Sequence, residues 1–453
     1  MLHIYHTNDL HSHFDHWPRI HEFLAKRKLW HTESGDEFLL LDIGDHIDRY
    51  HPFSEGTKGK GNVELLNAAH YDAITIGNNE GITFPHEDLD GLYLHANFPV
   101  LVANLYKQDG TRPDWTQPFT IITTNKGTRL GLIGLTVNFG HLYHLLGWKL
   151  ADPIAELKNQ LEQIKSKTDV IILLSHLGIN EDEKIAEDFP EIDLILGAHT
   201  HHLFHEGKII NQSLLAAAGK YGQFVGHVTL DIDQHQNIIK KSARLYDTND
   251  LKPVNEEQDM IKGYMTKGKE LLGNQVVHLP EAIQTHPLKE SPLAELLCKA
   301  LHEWCEADCA FINAGLLLAG LEKGSVTRYD LLSICPHPIN PCVVELSGQE
   351  LIEVLRQTFD EKWPHLQVKG LGFRGTVMGS FHYSGIVVKQ HNHGKEFFVG
   401  TGKIIPSQKY KLAIPDMFTF GRFFPEVYRA ENKNYYLPEF MRDLLAWKLK
   451  QVY

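Results

Sequence analysis

Five short segments place carboxylate, amide and imidazole groups directly after apolar runs: Asp9 and His11 in TNDLHSH, Asp45 in GDHIDR, Asn78 in GNNE, His176 in SHLG, and His199 and His201 in GAHTH. Hard oxygen donors mixed with imidazole nitrogens favour Mn, Fe, Zn, Co or Ni over an ion that selects thiolates. Residues two apart on an extended chain point to the same side, so Asp9 with His11, and His199 with His201, read as chelating pairs. Asp45 has two carboxylate oxygens and can bridge two ions, Asn78 offers a carbonyl oxygen, and His176 offers an imidazole. Two ions roughly 3.5–4 Å apart polarise a phosphoryl group and bring the pKa of a bridging water near neutrality, which is hydrolytic chemistry. An isolated histidine means little in a chain with 29 of them. The information lies in the order of the five motifs.

The elements that must position these groups follow from the same segments. LHIY, FLLLDIG, DAITIG, VIILLS and DLILG are continuous apolar runs, suited to strands buried on both faces. Between them lie helical patterns such as Asp152, Pro153, Ile154, Leu157, Leu161 and Ile164, with an aspartate cap, a proline in the first turn and apolar residues three and four apart. Alternation of the two predicts βαβ crossovers and a mainly parallel sheet, with the ligands gathered beyond the carboxyl ends of the strands.

With these motifs in this order, the chain resembles the 5'-nucleotidases of the calcineurin-like metallophosphoesterase superfamily over nearly its whole length. The resemblance implies an N-terminal four-layer α/β/β/α domain over residues 1–250, a linker helix over 251–277, and a smaller α/β or α+β substrate-binding domain over 278–453. It implies two divalent ions, one held by Asp9, His11, Asp45 and His201, the other by Asp45, Asn78, His176 and His199. It also implies in-line attack on phosphorus by a hydroxide that bridges them. One position departs from the family: Asn79 stands where a histidine usually stabilises the transition state or protonates the leaving group, and Ile82 replaces the aspartate that orients it. An asparagine donates a hydrogen bond but delivers no proton at neutral pH. General acid help is worth about 10²–10⁴ in rate. Three readings therefore stand side by side: His46, Asp48 or His202 substitutes, the leaving group is a good one, or the enzyme is slow. Asn79 and His46 are the catalytic candidates.

In the family the second domain binds the nucleoside part, and domain rotation brings the phosphate to the metals. Here the arginine-bearing glycine loop of the family reads Asn313-Ala314-Gly315-Leu316-Leu317-Leu318, and the glycine-rich region near the C-terminus reads Phe418-Thr419-Phe420-Gly421-Arg422. Asn313, Phe373 and Phe418 are the candidate substrate contacts, with Phe381 and Phe420 as further stacking candidates and Arg374 or Arg422 as replacements for the arginine. Aromatic platforms contribute roughly 1–3 kcal/mol per stacked base in single-strand binders. Adjacent Asp48 and Arg49 are expected to pair with each other, and His391-Asn392-His393-Gly394 reads as a hairpin turn.

Composition is ordinary for a globular enzyme, with 42% hydrophobic and 22% charged residues. A net charge of −13 opposes a nucleic-acid polymer as partner but not a mononucleotide met by bound cations. No apolar stretch suits a membrane span. Strand residues begin at Leu2, leaving no leader, and the five cysteines, odd in number and without CxxC spacing, suit buried thiols in a reducing compartment; a cytoplasmic location is expected. The leading reading is a nucleotide phosphohydrolase. Cleavage of nucleotide sugars or 2',3'-cyclic nucleotides is the enzymatic alternative, and a catalytically impaired nucleotide-binding protein is the alternative of another class.

Overall fold

The computed structural model describes residues 1–391, 394–421 and 423–453. The expected turn at Asn392-His393 and the candidate Arg422 lie outside the described residues. The chain forms two compact units, Met1–Gly268 and Lys269–Tyr453. The division falls inside a helix, Glu257–Leu271, within the stretch expected to connect the domains.

Two sheets build the first unit. One runs in the order Ile238–Asp247, Phe224–Ile232, Leu2–Thr7, Glu37–Asp42, Ala73–Ile74, Val100–Leu101, Thr116–Gln117. Its pairings are parallel from Leu2–Thr7 onward and antiparallel at the other edge. The other runs in the order Lys208–Ile210, Ser213–Ala216, Leu194–Gly197, Val170–His176, Arg129–Thr136, Phe119–Thr123, with four parallel inner strands and antiparallel edges. Leu2, Ile4, Leu39 and Leu41 meet Leu132, Ile172, Leu174 and Leu196 in one core between the sheets. The alternate residues Ile133, Leu135, Ile171, Leu173 and Ile195 pack with Leu157, Leu161, Ile164 and Ile185 of the covering helices. Both faces of each central strand are therefore buried, which is why these runs carry no polar alternation. The result is the four-layer α/β/β/α arrangement.

The second unit is built on a five-stranded sheet in the order Phe381–Ser384, Cys309–Asn313, Lys409–Pro415, Pro341–Ser347, Lys433–Tyr435. Helix Pro292–Trp304 is capped by Ser291 Oγ, which accepts from Ala294 N. Helix Gly348–Gln357 opens on a reciprocal box, with Ser347 N donating to Glu350 Oε2 and Glu350 N to Ser347 Oγ. All five cysteines are free and buried. Among the described residues no helix is long and apolar enough to cross a membrane.

A buried histidine cluster fastens the Leu2–Thr7 strand to its antiparallel neighbour. Arg244 Nε donates to His227 Nδ1 at 3.1 Å, which places the His227 proton on Nε2, from where it is donated to His3 Nδ1 at 3.0 Å. His3 Nε2 then faces Asp36 Oδ2 at 3.5 Å, and His31 stacks on His3 with ring centroids 3.7 Å apart. Three imidazoles this close invite a metal, yet stacked rings cannot both aim an in-plane lone pair at one ion, and the arginine fixes the wrong tautomer at His227. The cluster is a chain of hydrogen bonds. Burial lowers the pKa of His3, His227 and His31, the last to about 4. The unfolded chain therefore binds more protons below about pH 6.5, and stability from this cluster is present above that value and lost on acidification. His31→Gln, which keeps a hydrogen-bonding group for Tyr5, is expected to flatten the fall in melting temperature between pH 7 and pH 5; an unchanged slope in differential scanning fluorimetry would show that the cluster is not its source.

Candidate metal centre

The carboxyl ends of five strands, three from the first sheet and two from the second, carry the side chains singled out by sequence. Asp9 follows Leu2–Thr7, Asp45 follows Glu37–Asp42, Asn78 follows Ala73–Ile74, His176 closes Val170–His176, and His199 follows Leu194–Gly197. Backbone hydrogen bonds lace two of the loops together: Asp9 N to Gly44 O, His11 N to Asp45 O and Ser12 N to His46 O. Asp42, wholly buried, accepts from Thr7 Oγ1 and from Gly44 N and so sets the start of the Gly-Asp turn. Glu80 reaches back from the first turn of the short helix Asn78–Thr83 to take Asp45 N at 3.0 Å, Gly77 N at 2.8 Å and Ile47 N at 2.9 Å. Burial, together with the Asp45 charge, pushes the Glu80 carboxyl up to about 7.

The chelating pairs do not arise as an extended chain would make them. Asp9, His11, His199 and His201 have φ of 50°, 49°, 70° and 55°, and Asp45 has 51°. Left-handed residues turn the chain sharply, so Asp9 and His11 come together through a local turn rather than through strand alternation, while His199 turns to Asn78 and His201 to His11. Such conformations cost on the order of 1 kcal/mol or more for non-glycine residues and persist where surrounding contacts overdetermine them.

Two clusters result. Asp9, His11 and His201 present ligand atoms within 4.8 Å of one another, and so do Asp9, Asp45 and His176. His11 Nε2 and His201 Nε2 lie 3.2 Å apart, and a single oxygen, Asp45 Oδ2, stands 3.7 Å from His11 Nε2 and 3.4 Å from His176 Nε2. Asn78 Oδ1 is 2.9 Å from His199 Nδ1, and the His199 backbone N–H donates to Asp9. His176 Nδ1 donates to Ile43 O, which leaves Nε2 buried with no hydrogen-bond partner and turned to Asp45. A buried nitrogen lone pair beside a buried carboxylate is what a divalent cation would satisfy, so the donors fit the ions. Burial lowers the His176 pKa, but the Asp45 and Asp9 charges outweigh it and raise it to about 10; burial opposes, and Asp48, Asp45 and Asp9 overcome it to raise, that of His11.

The catalytic candidates are displaced from their expected tasks. Asn79 donates from its backbone N to Asp45 Oδ1 at 2.8 Å and from Nδ2 to Asp45 Oδ2 at 2.7 Å, so it clasps the bridging carboxylate. His46 sits with its ring edge-on to Trp17 and beside Asn62, and burial drops its pKa to about 3, which favours a neutral imidazole at neutral pH. His202 Nδ1 lies 3.0 Å from Thr200 Oγ1. Arg49 turns to Glu55 and the Thr83 carbonyl. In the second unit Phe418 is corrected to core, fully buried against Phe311, Phe381, Phe423 and Phe424. Asn313 is fully buried, donating to Met378 O, and Phe373 stacks on His337. Phe420 is 40% exposed and stacks on Tyr435.

Sequence reasoning missed Asn8, Glu80 and Tyr221. Asn8 ties Asp9 to the Ala218-Gly219 backbone, and Tyr221, with φ of 61°, donates its N–H to Asp9 O and sets its ring edge-on to His11. Glu80 was visible in GNNE; Tyr221 had only the flanking glycines as a signal.

Residues 2–203 match the calcineurin-like phosphoesterase family and residues 272–421 the C-terminal domain of 5'-nucleotidases. A Bacillus subtilis protein described as an uncharacterized metallophosphoesterase, YunD, is 42% identical over 99% of both chains. The chain belongs to the metallophosphoesterases. A Vibrio cholerae 5'-nucleotidase is 26% identical over 78% of this chain and 75% of its own. The crystal structure of a putative 5'-nucleotidase from Staphylococcus aureus shares the fold at a TM-score of 0.71 and 19% identity, covering 99% of this chain and 96% of that one. This metallophosphoesterase leaves no space at Gly77, where a Cβ would meet Asp45 Oδ1 at 2.0 Å and His176 Nε2 at 2.5 Å. Gly77→Ala is expected to strain the site by about 1–3 kcal/mol and to abolish tight metal uptake; elemental analysis showing wild-type metal content in the variant would contradict that placement.

Proposed function

We propose that the protein hydrolyses nucleotides in the manner of a 5'-nucleotidase, with two divalent ions held by Asp9, His11, Asp45, Asn78, His176, His199 and His201. The single observation that carries this reading is Asp45 Oδ2 set between His11 and His176, the position of a ligand shared by two ions. When bound, such ions polarise the phosphoryl group and bring a hydroxide nucleophile within reach near neutral pH. The chain's own contribution is to hold the donors. Glu80 and Asn79 fix Asp45, Asn8 fixes Asp9, and the Ile43 carbonyl fixes the ring of His176. Phosphate-bearing small molecules, not polymers, suit a chain of net charge −13 whose positive field is confined to its ions. In the second unit we assign base stacking to Phe420 in place of the buried Phe418. Five free, buried cysteines support a reducing compartment, hence cytoplasmic nucleotide catabolism.

Phosphate release from nucleoside monophosphates, nucleotide sugars and 2',3'-cyclic nucleotides, measured with stripped and Mn²⁺-loaded protein, tests this. Release from monophosphates only in the loaded form is expected; none from any substrate with demonstrably loaded protein would refute the enzyme. Because Asn79 is engaged with Asp45 and burial favours the uncharged form of His46, departure of a poor leaving group should gain little from acid catalysis. An activated aryl phosphate should then exceed a nucleoside monophosphate in kcat by about 10²-fold or more, and equal chemistry-limited rates would reveal a proton donor.

A further inference from the structure

For His11 to offer Nε2 toward Asp9, Asp45 and His201, its ring proton must reside on Nδ1, and that N–H needs an acceptor. Two side chains face Nδ1. Asn79 Nδ2 is 3.3 Å away and spends one of its two N–H groups on Asp45 Oδ2, but the amide nitrogen is only a donor and cannot take a proton carried on Nδ1. Asp48 Oδ2 is an acceptor 3.6 Å away, at ion-pair rather than hydrogen-bond distance. Asp48 is 1% exposed, and its position is set by the backbone on both sides of it. Its N–H donates to Ser12 Oγ at 2.8 Å, and its Oδ1 accepts from Tyr50 N at 3.0 Å. Ser12 follows His11 directly and is itself held by Ser54 and Asn62. The Gly-Asp loop thus brings two carboxylates to one imidazole, Asp45 at Nε2 and Asp48 at Nδ1.

We propose that Asp48 is a positioning residue that fixes the Nδ1–H tautomer and the ring orientation of His11, so that Nε2 is presented to the ion. This rests on the metal-centre reading above. It also assigns Asp48 a task other than replacing the absent acid: its carboxylate works as an acceptor behind a ligand. Outer partners of this kind are worth about 10- to 100-fold in metal affinity.

Calorimetric titration of stripped protein with Mn²⁺ tests the proposal, with Asp9→Asn as the ligand-loss control. Asp48→Ala should weaken Mn²⁺ binding by about 10- to 100-fold, and Asp48→Asn, which keeps an acceptor oxygen, by less. Long-range ¹H–¹⁵N spectra of the wild-type protein, with His11→Gln to assign the signal, should show His11 protonated at Nδ1. Mn²⁺ affinity of a folded Asp48→Ala within twofold of wild type overturns the proposal, as does a stripped protein in which His11, titrated to its neutral form, carries its single ring proton on Nε2. If wild type itself takes up no Mn²⁺, the metal-centre reading falls, a result distinguishable from a loaded wild type whose Asp48 variants bind equally well.

Discussion

Burial of the Asp45 carboxylate is the constraint on which the site depends. It is 2% exposed, and removing an ionised group from water is costly unless charge and hydrogen bonds replace the lost hydration. Asn79 supplies two hydrogen bonds, His176 and His11 stand on either side of Oδ2, and the peptide N–H of Asp45 itself is taken by Glu80. Asn79 and Glu80 come from one segment, His11 and His176 from two others. Compensating one charge therefore draws the first, second, third and fourth motifs to a common point, and the glycines at 44 and 77 are required because the two loops touch: a Cβ on Gly44 would lie 2.4 Å from Gly77 N.

The backbone carries the cost of this convergence. Asp9, His11, Ser12, Asp45, His199, His201 and Tyr221 all hold left-handed φ values, a concentration of disfavoured conformation around one site. The rigid scaffold that sustains it is the sandwich beneath, in which Ile4, Leu41, Leu132 and Leu174 fill the space between the sheets. Strand ends anchored in such a core can hold short strained turns, where a flexible loop would relax.

The Asn79 amide folds onto Asp45, donating from Nδ2 to its carboxylate, and an amide delivers no proton at neutral pH. His46, next to Asp45 in sequence, points the other way, against Trp17. Adjacent residues in a tight turn face opposite surroundings, and sequence proximity to a ligand says little about access to the reacting atoms.

Apolar runs ending in Asp, Asn or His, the Asp152 and Ser291 caps and the Ser347–Glu350 box were legible in the residues, because burial on both faces and orphan N–H groups at helix starts select residue types locally. So was the gathering of Asp and His side chains at the strand ends, since cation chemistry dictates donor type. The partition of five strand ends between two sheets, the left-handed turns that pair Asp9 with His11, the burial of His46 and Phe418, and the turn of Asp48 toward His11 were settled only in three dimensions. Each of these depends on which surfaces remain after distant segments pack, and a side chain's accessibility and partners are properties of that packing, not of its neighbours along the chain.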